Sequence, residues 1–274
     1  MNTIDIENIE LELFLEAIYK RYGYDFRQYS QATMKRRVQN LLSTFKFNKV
    51  SEMIPKILFD EKFFEQLLFH FSITVTEMFR DPSFYKYLRD DIIPYLKTYP
   101  FMKIWCAGCA TGEEVYSLAI LLKEVKLYDR VTIFATDFND KALQKAKEGI
   151  YPLNNIKNYT VNYQKAGGKS SLTEYFHAEY DSVIMKQELR EKITFANHNL
   201  VIDGVFGEMH LIFCRNVLIY FNRNLQNKVL DLFYNSLIRN GFLCLGTKES
   251  LQFLEKADAF KATDNENNIY RKFF

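Results

Sequence analysis

The chain has 274 residues, 48% of them hydrophobic, and a formal net charge of +2. That is enough apolar material for one large or two modest folded domains, and too little charge to mark a nucleic-acid binder by electrostatics alone. No run approaches the ~18 uninterrupted apolar residues of a membrane span, and Met1-Asn2-Thr3-Ile4-Asp5-Ile6-Glu7 lacks the basic-then-apolar pattern of a signal peptide, so a cytoplasmic protein is expected.

Along the chain, Phe14, Ile18 and Tyr22, then Met34, Val38, Leu41 and Leu42, recur at helical spacing, so residues ~8–70 read as a small all-helical domain bounded at 1–72. Its charge is uneven. Lys20-Arg21, Arg27 and Lys35-Arg36-Arg37 are basic, against acidic Asp60-Glu61 and Glu65, and Lys35, Arg36 and Arg37, which span two faces of one helix, read either as a solvated basic face or as a docking surface for an acidic partner. A linker and lead-in helix occupy 73–100, with Pro82 suited to the first turn of a helix running through Tyr95. From 101 to 274 the pattern alternates: strand 102–106, helix 113–125, strand 131–136, helix 139–147, an atypical region 150–192, strands 193–196 and 209–214, helix 223–238, strand 241–246 and an antiparallel pair near 259–273. Such alternation calls for an α/β domain with a mostly parallel sheet covered by helices. Within the atypical region, Glu174 to Tyr180 and Ser182 to Gln187 could pair as a hairpin inserted at about 165–190.

The stretch Trp105-Cys106-Ala107-Gly108-Cys109-Ala110-Thr111-Gly112-Glu113-Glu114, followed a strand later by Phe134-Ala135-Thr136-Asp137, spells a nucleotide-binding βαβ unit. Gly108 and Gly112 let the backbone approach a ligand closely, and Asp137 at a strand end can accept hydrogen bonds from ribose hydroxyls. The loop lacks both G-x-G-x-x-G spacing and a G-K-[ST] clamp, which disfavours a pyrophosphate or triphosphate ligand. A nucleoside without phosphates fits better, S-adenosylmethionine being the commonest such cofactor. Cys106, Cys109, Cys214 and Cys244 fall in strands or tight turns and read as reduced, buried thiols. The C-x-x-C has no second pair or nearby His to complete a zinc set, so no metal is expected. Further on, Ile212-Phe213-Cys214-Arg215-Asn216 sets two strong hydrogen-bonding groups at the carboxyl edge of the sheet, where a half-buried Arg needs an acidic partner from the protein or a substrate.

Together these residues resemble the CheR family of chemotaxis-receptor glutamate methyltransferases. The resemblance rests on Thr76-x-x-x-Arg80, the Ala107 to Ser117 stretch, Ala135-Thr136-Asp137, Gly149-Ile150-Tyr151, Asn199-Leu200 and Phe213 to Phe221. It covers nearly the whole chain in order, including Tyr22-Gly23 and Thr33-x-Lys35-Arg36-Arg37 in the helical domain. It implies a class I (Rossmann-like) domain that moves the methyl group of S-adenosylmethionine to glutamates on receptor cytoplasmic helices, leaving S-adenosylhomocysteine. Carried over by motif, Thr74, Thr76, Arg80, Gly108, Glu113 or Glu114, Asp137, Asn199, Leu200, Cys214 and Arg215 would contact the cofactor. Arg80 suits its methionine carboxylate, either Glu113 or Glu114 its α-amino group, and Asn199 with Leu200 its adenine. Arg215, Asn216 and Tyr220 match the positions near the incoming glutamate, and Lys35, Arg36 and Arg37 the receptor-facing helix.

A glutamate side chain is ionised near pH 7, its reference pKa being about 4.3, so it needs no general base and catalysis reduces mostly to placement. The chain departs from the family in three places. Thr74 stands where Asn is frequent, His210 stands where an Asp is common and reads as structural, and Glu179-Tyr180-Asp181-Ser182 lacks the glycine-containing turn that binds a pentapeptide receptor tether in some members. Tether-independent recognition through the basic helix is therefore expected, with no nucleic acid, no membrane insertion and a monomeric state. A non-catalytic cofactor-sensing or receptor-docking module is the alternative reading, opposed by the retained Asp137, Arg80 and Arg215. A base methyltransferase is disfavoured because a [DN]-P-P-[YF] motif is absent.

Overall fold

The computed structural model describes residues 3–71, 76–264 and 266–274. It divides the chain into two compact units, one of Met1–Ile73 with Ile219–Val229, the other of Thr74–Leu218 with Leu230–Phe274.

The first unit is helical, built from α1 (Thr3–Tyr22), α2 (Gln31–Phe45), α3 (Met53–Phe59) and α4 (Glu61–Phe71). Phe14 and Ile18 of α1, Met34, Val38 and Leu41 of α2, Ile57 of α3 and Leu67 and Phe71 of α4 are buried together, the stripe expected from helical periodicity. Tyr22 stacks on Phe64 with ring centroids 3.6 Å apart. The return of residues 219–229 to this unit goes beyond the contiguous 1–72 domain read from the sequence. Ser30 donates its backbone N–H to the Tyr220 carbonyl at 2.8 Å, Asn222 donates to Gln28 at 2.9 Å, and Phe221 packs edge-on against Tyr29 at 4.9 Å.

In the second unit α5 (Pro82–Tyr87) begins at Pro82, as expected, and continues through a π-type turn (Leu88–Ile92) into α6 (Ile93–Leu96). Pro94 has no N–H to give to the preceding turn, which accounts for the widened ladder. Next come β1 (Met102–Ala107), α7 (Glu113–Glu124), β2 (Val131–Asp137), α8 (Asp140–Glu148), β3 (Ile150–Pro152), α9 (Ile156–Lys165), β4 (Phe176–Glu179), β5 (Ser182–Met185), α10 (Gln187–Arg190), β6 (Ile193–Asn197), β7 (Met209–Cys214), α11 (Arg223–Ser236), β8 (Leu237–Leu245), β9 (Phe260–Ala262) and β10 (Ile269–Lys272). The main sheet has the order β6-β2-β1-β7-β8-β10-β9, parallel from β6 to β8 and antiparallel at β10 and β9. This is the mostly parallel sheet that the alternation called for, closed at one edge by an antiparallel pair. The order reverses beside β1, and the carboxyl ends of β1, β2 and β7 share one edge, where α/β folds bind ligands.

The inserted hairpin is present as β4 and β5, but it belongs to a three-stranded sheet, β3-β5-β4, that begins at Ile150. The region from 150 to 192 also contains α9, whose Tyr159 and Tyr163 are buried. Two tyrosines four residues apart gave a weak helical signal among Asn and Lys, and the insertion therefore starts earlier than 165. His210 has a structural place: its Nδ1 accepts the Lys103 backbone N–H at 3.2 Å and its ring meets Tyr99 at 4.7 Å.

A buried ion pair ties the lead-in helix to the sheet domain. Arg89 donates to Glu124, their side chains only 6% and 4% exposed, and Glu124 also accepts from the Lys169 backbone N–H at 3.0 Å. Breaking a buried pair by removing one partner leaves an uncompensated charge and costs about 3–5 kcal/mol. Glu124→Ala is accordingly expected to lower the unfolding free energy by that amount in urea titrations, and a loss under 1 kcal/mol would show the pair to be solvated.

Candidate cofactor and acceptor site

The loop between β1 and α7 is a tight turn hung on β2. Gly108 and Cys109 both donate backbone N–H groups to the Thr136 carbonyl, at 2.8 and 2.9 Å, and Gly112 donates to Cys109 at 3.0 Å. Gly108 has φ +74° and a Cβ there would sit 2.7 Å from Val217 Cγ2, so glycine is required on both conformational and steric grounds. Gly112, at φ +91°, packs so closely that a Cβ would come 2.9 Å from that of Ala146.

Asp137, 8% exposed, stands at the end of β2. Its Oδ2 accepts the Ala110 N–H at 2.9 Å and its Oδ1 the Asn139 N–H at 3.0 Å. Burial raises its pKa, and the N–H groups of Asn139 and Ala110 pull the other way. Each carboxylate oxygen accepts two bonds, so Asp137 is held in place with acceptor capacity left for a diol. Asn139 in turn caps α8, its Oδ1 accepting from Lys141 and Ala142 at 3.0 and 3.2 Å.

Arg215, immediately after β7, has a guanidinium only 1% exposed. Its Nη1 donates to Glu114 at 2.7 Å, and its Nη2 donates to Asp81 at 2.7 Å and to the Arg80 carbonyl at 3.1 Å. The Phe84 ring lies 4.1 Å below the guanidinium carbon. Burial disfavours the Arg215 charge, but Glu114, Tyr85 and Asp81 outweigh it and the pKa rises. For Glu114 burial prevails over the same guanidinium, and its pKa is raised.

The structure separates the two candidate acids at the start of α7. Glu114 is fixed by Arg215, with its carboxylate 17% exposed and its second oxygen open to a donor. Glu113 instead accepts from the Thr111 hydroxyl at 2.7 Å, and burial pushes its carboxyl up to about 7. Arg80 is half-buried and, among the described residues, its guanidinium has no ion-pair partner, which leaves its charge for a carboxylate. Thr76 is half-buried, while Thr74 lies outside the described residues. Asn199 spends its Oδ1 on the Val201 N–H at 3.0 Å and keeps its amide donors free, next to Leu200, which is buried. The donor set therefore fits a nucleoside with a ribose diol, an ammonium and a carboxylate.

Several placements differ from the sequence reading. Cys214 is fully buried, so its side chain belongs to the core instead of lining a site. Arg215 has both Nη groups engaged within the protein. Asn216, at φ +61°, donates its backbone N–H to Glu249 at 2.9 Å. Tyr220 belongs to the helical unit, where Arg37 lies over its ring at 4.8 Å. Arg37 itself is 6% exposed and also faces Tyr29 and Phe71, so it is not a solvent-facing cation, whereas Arg36 is exposed and Lys35 half-buried. The 34, 37, 38, 41 spacing in α2 carried that signal. Sequence reasoning missed Asp81, Asn139 and Glu249. The last accepts from the Gly246 N–H at 2.5 Å as well as from Asn216, joining the ends of β7 and β8. All four cysteines are buried, and among the described residues no group of three or more His, Cys, Asp or Glu could hold a metal. Among the described residues no helix is long and apolar enough to cross a membrane.

Two family models together match most of the chain. The family described as CheR methyltransferase, SAM binding domain, matches residues 74–269, and the one described as CheR methyltransferase, all-alpha domain, matches 9–71. The chain is 47% identical over 265 residues to a protein named Putative methyltransferase Cher3 from Pseudomonas putida, covering 97% of each. It is 30% identical to a Chemotaxis protein methyltransferase from Borreliella burgdorferi, covering 91% of this chain and 90% of that one. Among solved structures, the N-methyltransferase NodS from Bradyrhizobium japonicum with S-adenosyl-L-homocysteine is 15% identical at a TM-score of 0.35, over 62% of each chain.

A carboxyl group whose pKa is raised on folding binds more protons in the native state, so stability falls as pH climbs from the unfolded value towards the folded one. For Glu113 that window runs from 4.5 to about 7, and the shift corresponds to about 3 kcal/mol. Glu113→Gln is expected to flatten the decline in melting temperature between pH 5 and 7.5 in the ligand-free protein; an unchanged pH slope would show that the group is ionised in the fold.

Proposed function

The chain belongs to the CheR methyltransferase family and carries both of its domains, and we propose that it transfers the methyl group of S-adenosylmethionine to glutamate side chains on the cytoplasmic helices of chemoreceptors. The cofactor class comes with the family. The grouping of Asp137, Glu114 and Arg80 at the carboxyl edge of β1 and β2 suits the cofactor, while the acceptor is the finer step and its support is relatives named chemotaxis protein methyltransferases.

Asp137 would hold the ribose diol, Glu114 the α-ammonium, Arg80 the methionine carboxylate, and Asn199 with Leu200 the adenine. When bound, the cofactor supplies an electrophilic methyl group on a sulfonium. The acceptor carboxylate is already an anion near neutral pH, so the protein's task is to exclude water and align one oxygen with the methyl carbon, and orientation of this kind supplies several kcal/mol. Asn216 and Tyr220 are the hydrogen-bonding groups proposed to orient the acceptor. The bound cofactor would give up its methyl group to the acceptor oxygen with the sulfur as leaving group, and none of the residues at the site would have to give or take a proton.

Lys35 and Arg36 would meet the acidic receptor surface. Arg37, held on three aromatic rings, would support α2 from beneath. The turn of the β4–β5 hairpin takes its positive φ, +50°, at Tyr180, which is 94% exposed, and Glu179-Tyr180-Asp181-Ser182 contains no glycine. This supports recognition without a pentapeptide tether.

The reading is tested by calorimetric titration with S-adenosylhomocysteine. Asp137→Ala is expected to weaken binding by two orders of magnitude or more, about 3 kcal/mol, and to abolish transfer of labelled methyl groups to receptor fragments as base-labile esters. Binding without such transfer by the wild-type protein would favour the docking module. A receptor-tail pentapeptide added in trans should leave receptor affinity unchanged, and competition at micromolar concentration would contradict tether independence.

A further inference from the structure

The residue that the family resemblance sets beside the incoming carboxylate has both Nη groups engaged, while its buried Nε has no partner among the described residues. Arg215 gives Nη1 to Glu114 and Nη2 to Asp81 and the Arg80 carbonyl, and its side chain is 1% exposed. Of the two acids that neutralise it, Asp81 is the more accessible, at 27% against 17% for Glu114. An anion approaching Arg215 therefore competes first with Asp81.

Asp81 is held where it is by an unusual backbone. It has φ +57°, and two residues earlier Phe79 has φ +54°. A bulky non-glycine residue in that region is strained and persists only where its surroundings over-determine it, commonly at functional sites. Here they do. The Phe79 side chain is fully buried and its N–H donates to the Ser117 hydroxyl at 2.9 Å. Asn162 donates to the Met78 carbonyl at 3.2 Å, and Phe84 donates its N–H to the Asp81 carbonyl at 2.9 Å. Although Asp81 precedes the first turn of α5, its side chain makes no capping bond. Its carboxylate is committed to Arg215.

We propose that Asp81 is a positioning residue that occupies the Arg215 donor an acceptor glutamate would otherwise take, and so keeps the nucleophile from being gripped. The inference rests on the glutamate reading above. The acceptor carboxylate loses its charge as the new bond forms, so an ion pair to Arg215 stabilises the ground state more than the transition state and slows transfer. With Asp81 in place the cation is balanced internally, and the acceptor is left to weaker hydrogen-bond donors.

Asp81→Asn keeps the shape and removes the charge. Steady-state kinetics with a receptor fragment should show KM for the receptor falling about threefold and kcat falling about tenfold, with S-adenosylhomocysteine affinity within threefold of wild type. Asp81→Glu should restore most of the lost kcat. A merely structural role would lower cofactor affinity or thermal stability without separating KM from kcat, and that result would overturn the assignment, as would unchanged kinetics. Absence of base-labile methyl groups on the receptor with the wild-type protein would remove the glutamate reading and the inference together. Wild-type activity with an unaltered Asp81→Asn variant would remove the inference alone.

Discussion

A single buried guanidinium organises the chemistry of this protein. Arg215 stands at the end of β7, reaches the first turn of α7 through Glu114, and holds the entry to α5 through Asp81 and the Arg80 carbonyl. Taking that charge out of water is expensive, and it is tolerated because two carboxylates, a carbonyl and an aromatic face receive it. Three segments far apart in the chain are thereby fixed to one another. The acid best suited to hold an ammonium and the cation best suited to hold a carboxylate both owe their positions to this contact.

The remainder of the site is built largely from backbone. Asp137 is aimed by two N–H groups, the Gly108 turn hangs from the Thr136 carbonyl, and Glu249 closes the gap between β7 and β8 by accepting from Asn216 and Gly246. Rigid main-chain hydrogen bonds would suit the proposed transfer to a carboxylate, in which alignment does most of the work.

Most of the sheet was legible in the sequence because each parallel strand is a short apolar run bounded by turn residues, as at 102–106 and 209–214. The position of Asp137 was legible because it depends on a local pattern, a strand end at a fixed distance from a glycine turn. Asp81 was not, because its partner is 134 residues away and an Asp before a proline reads as a helix cap. Arg37 was misjudged for a different reason. Three consecutive basic residues span two faces of a helix, successive positions being turned by about 100°, and the charge of Arg37 hid that the face in line with Met34 and Leu41 is the buried one, where it lies over rings. The strand at Ile150 was hidden by its length of three residues, and the start of β8 by Arg239 and Asn240, which interrupt the apolar run.

The return of residues 219–229 to the helical unit has a consequence for how such proteins can evolve. Phe221 is buried against Tyr29, and the main chain on either side is bonded to residues 28 and 30. Part of the helical unit is thus encoded within the gene segment for the sheet domain. A recombination event that exchanged the first seventy residues for those of a distant relative would bring in a helical domain lacking its matching piece, leaving aromatic surface uncovered on both sides. Tyr29 and Phe221, whose rings meet edge-on, are the pair that such an exchange would have to match, since the flanking bonds are main-chain and indifferent to side chain.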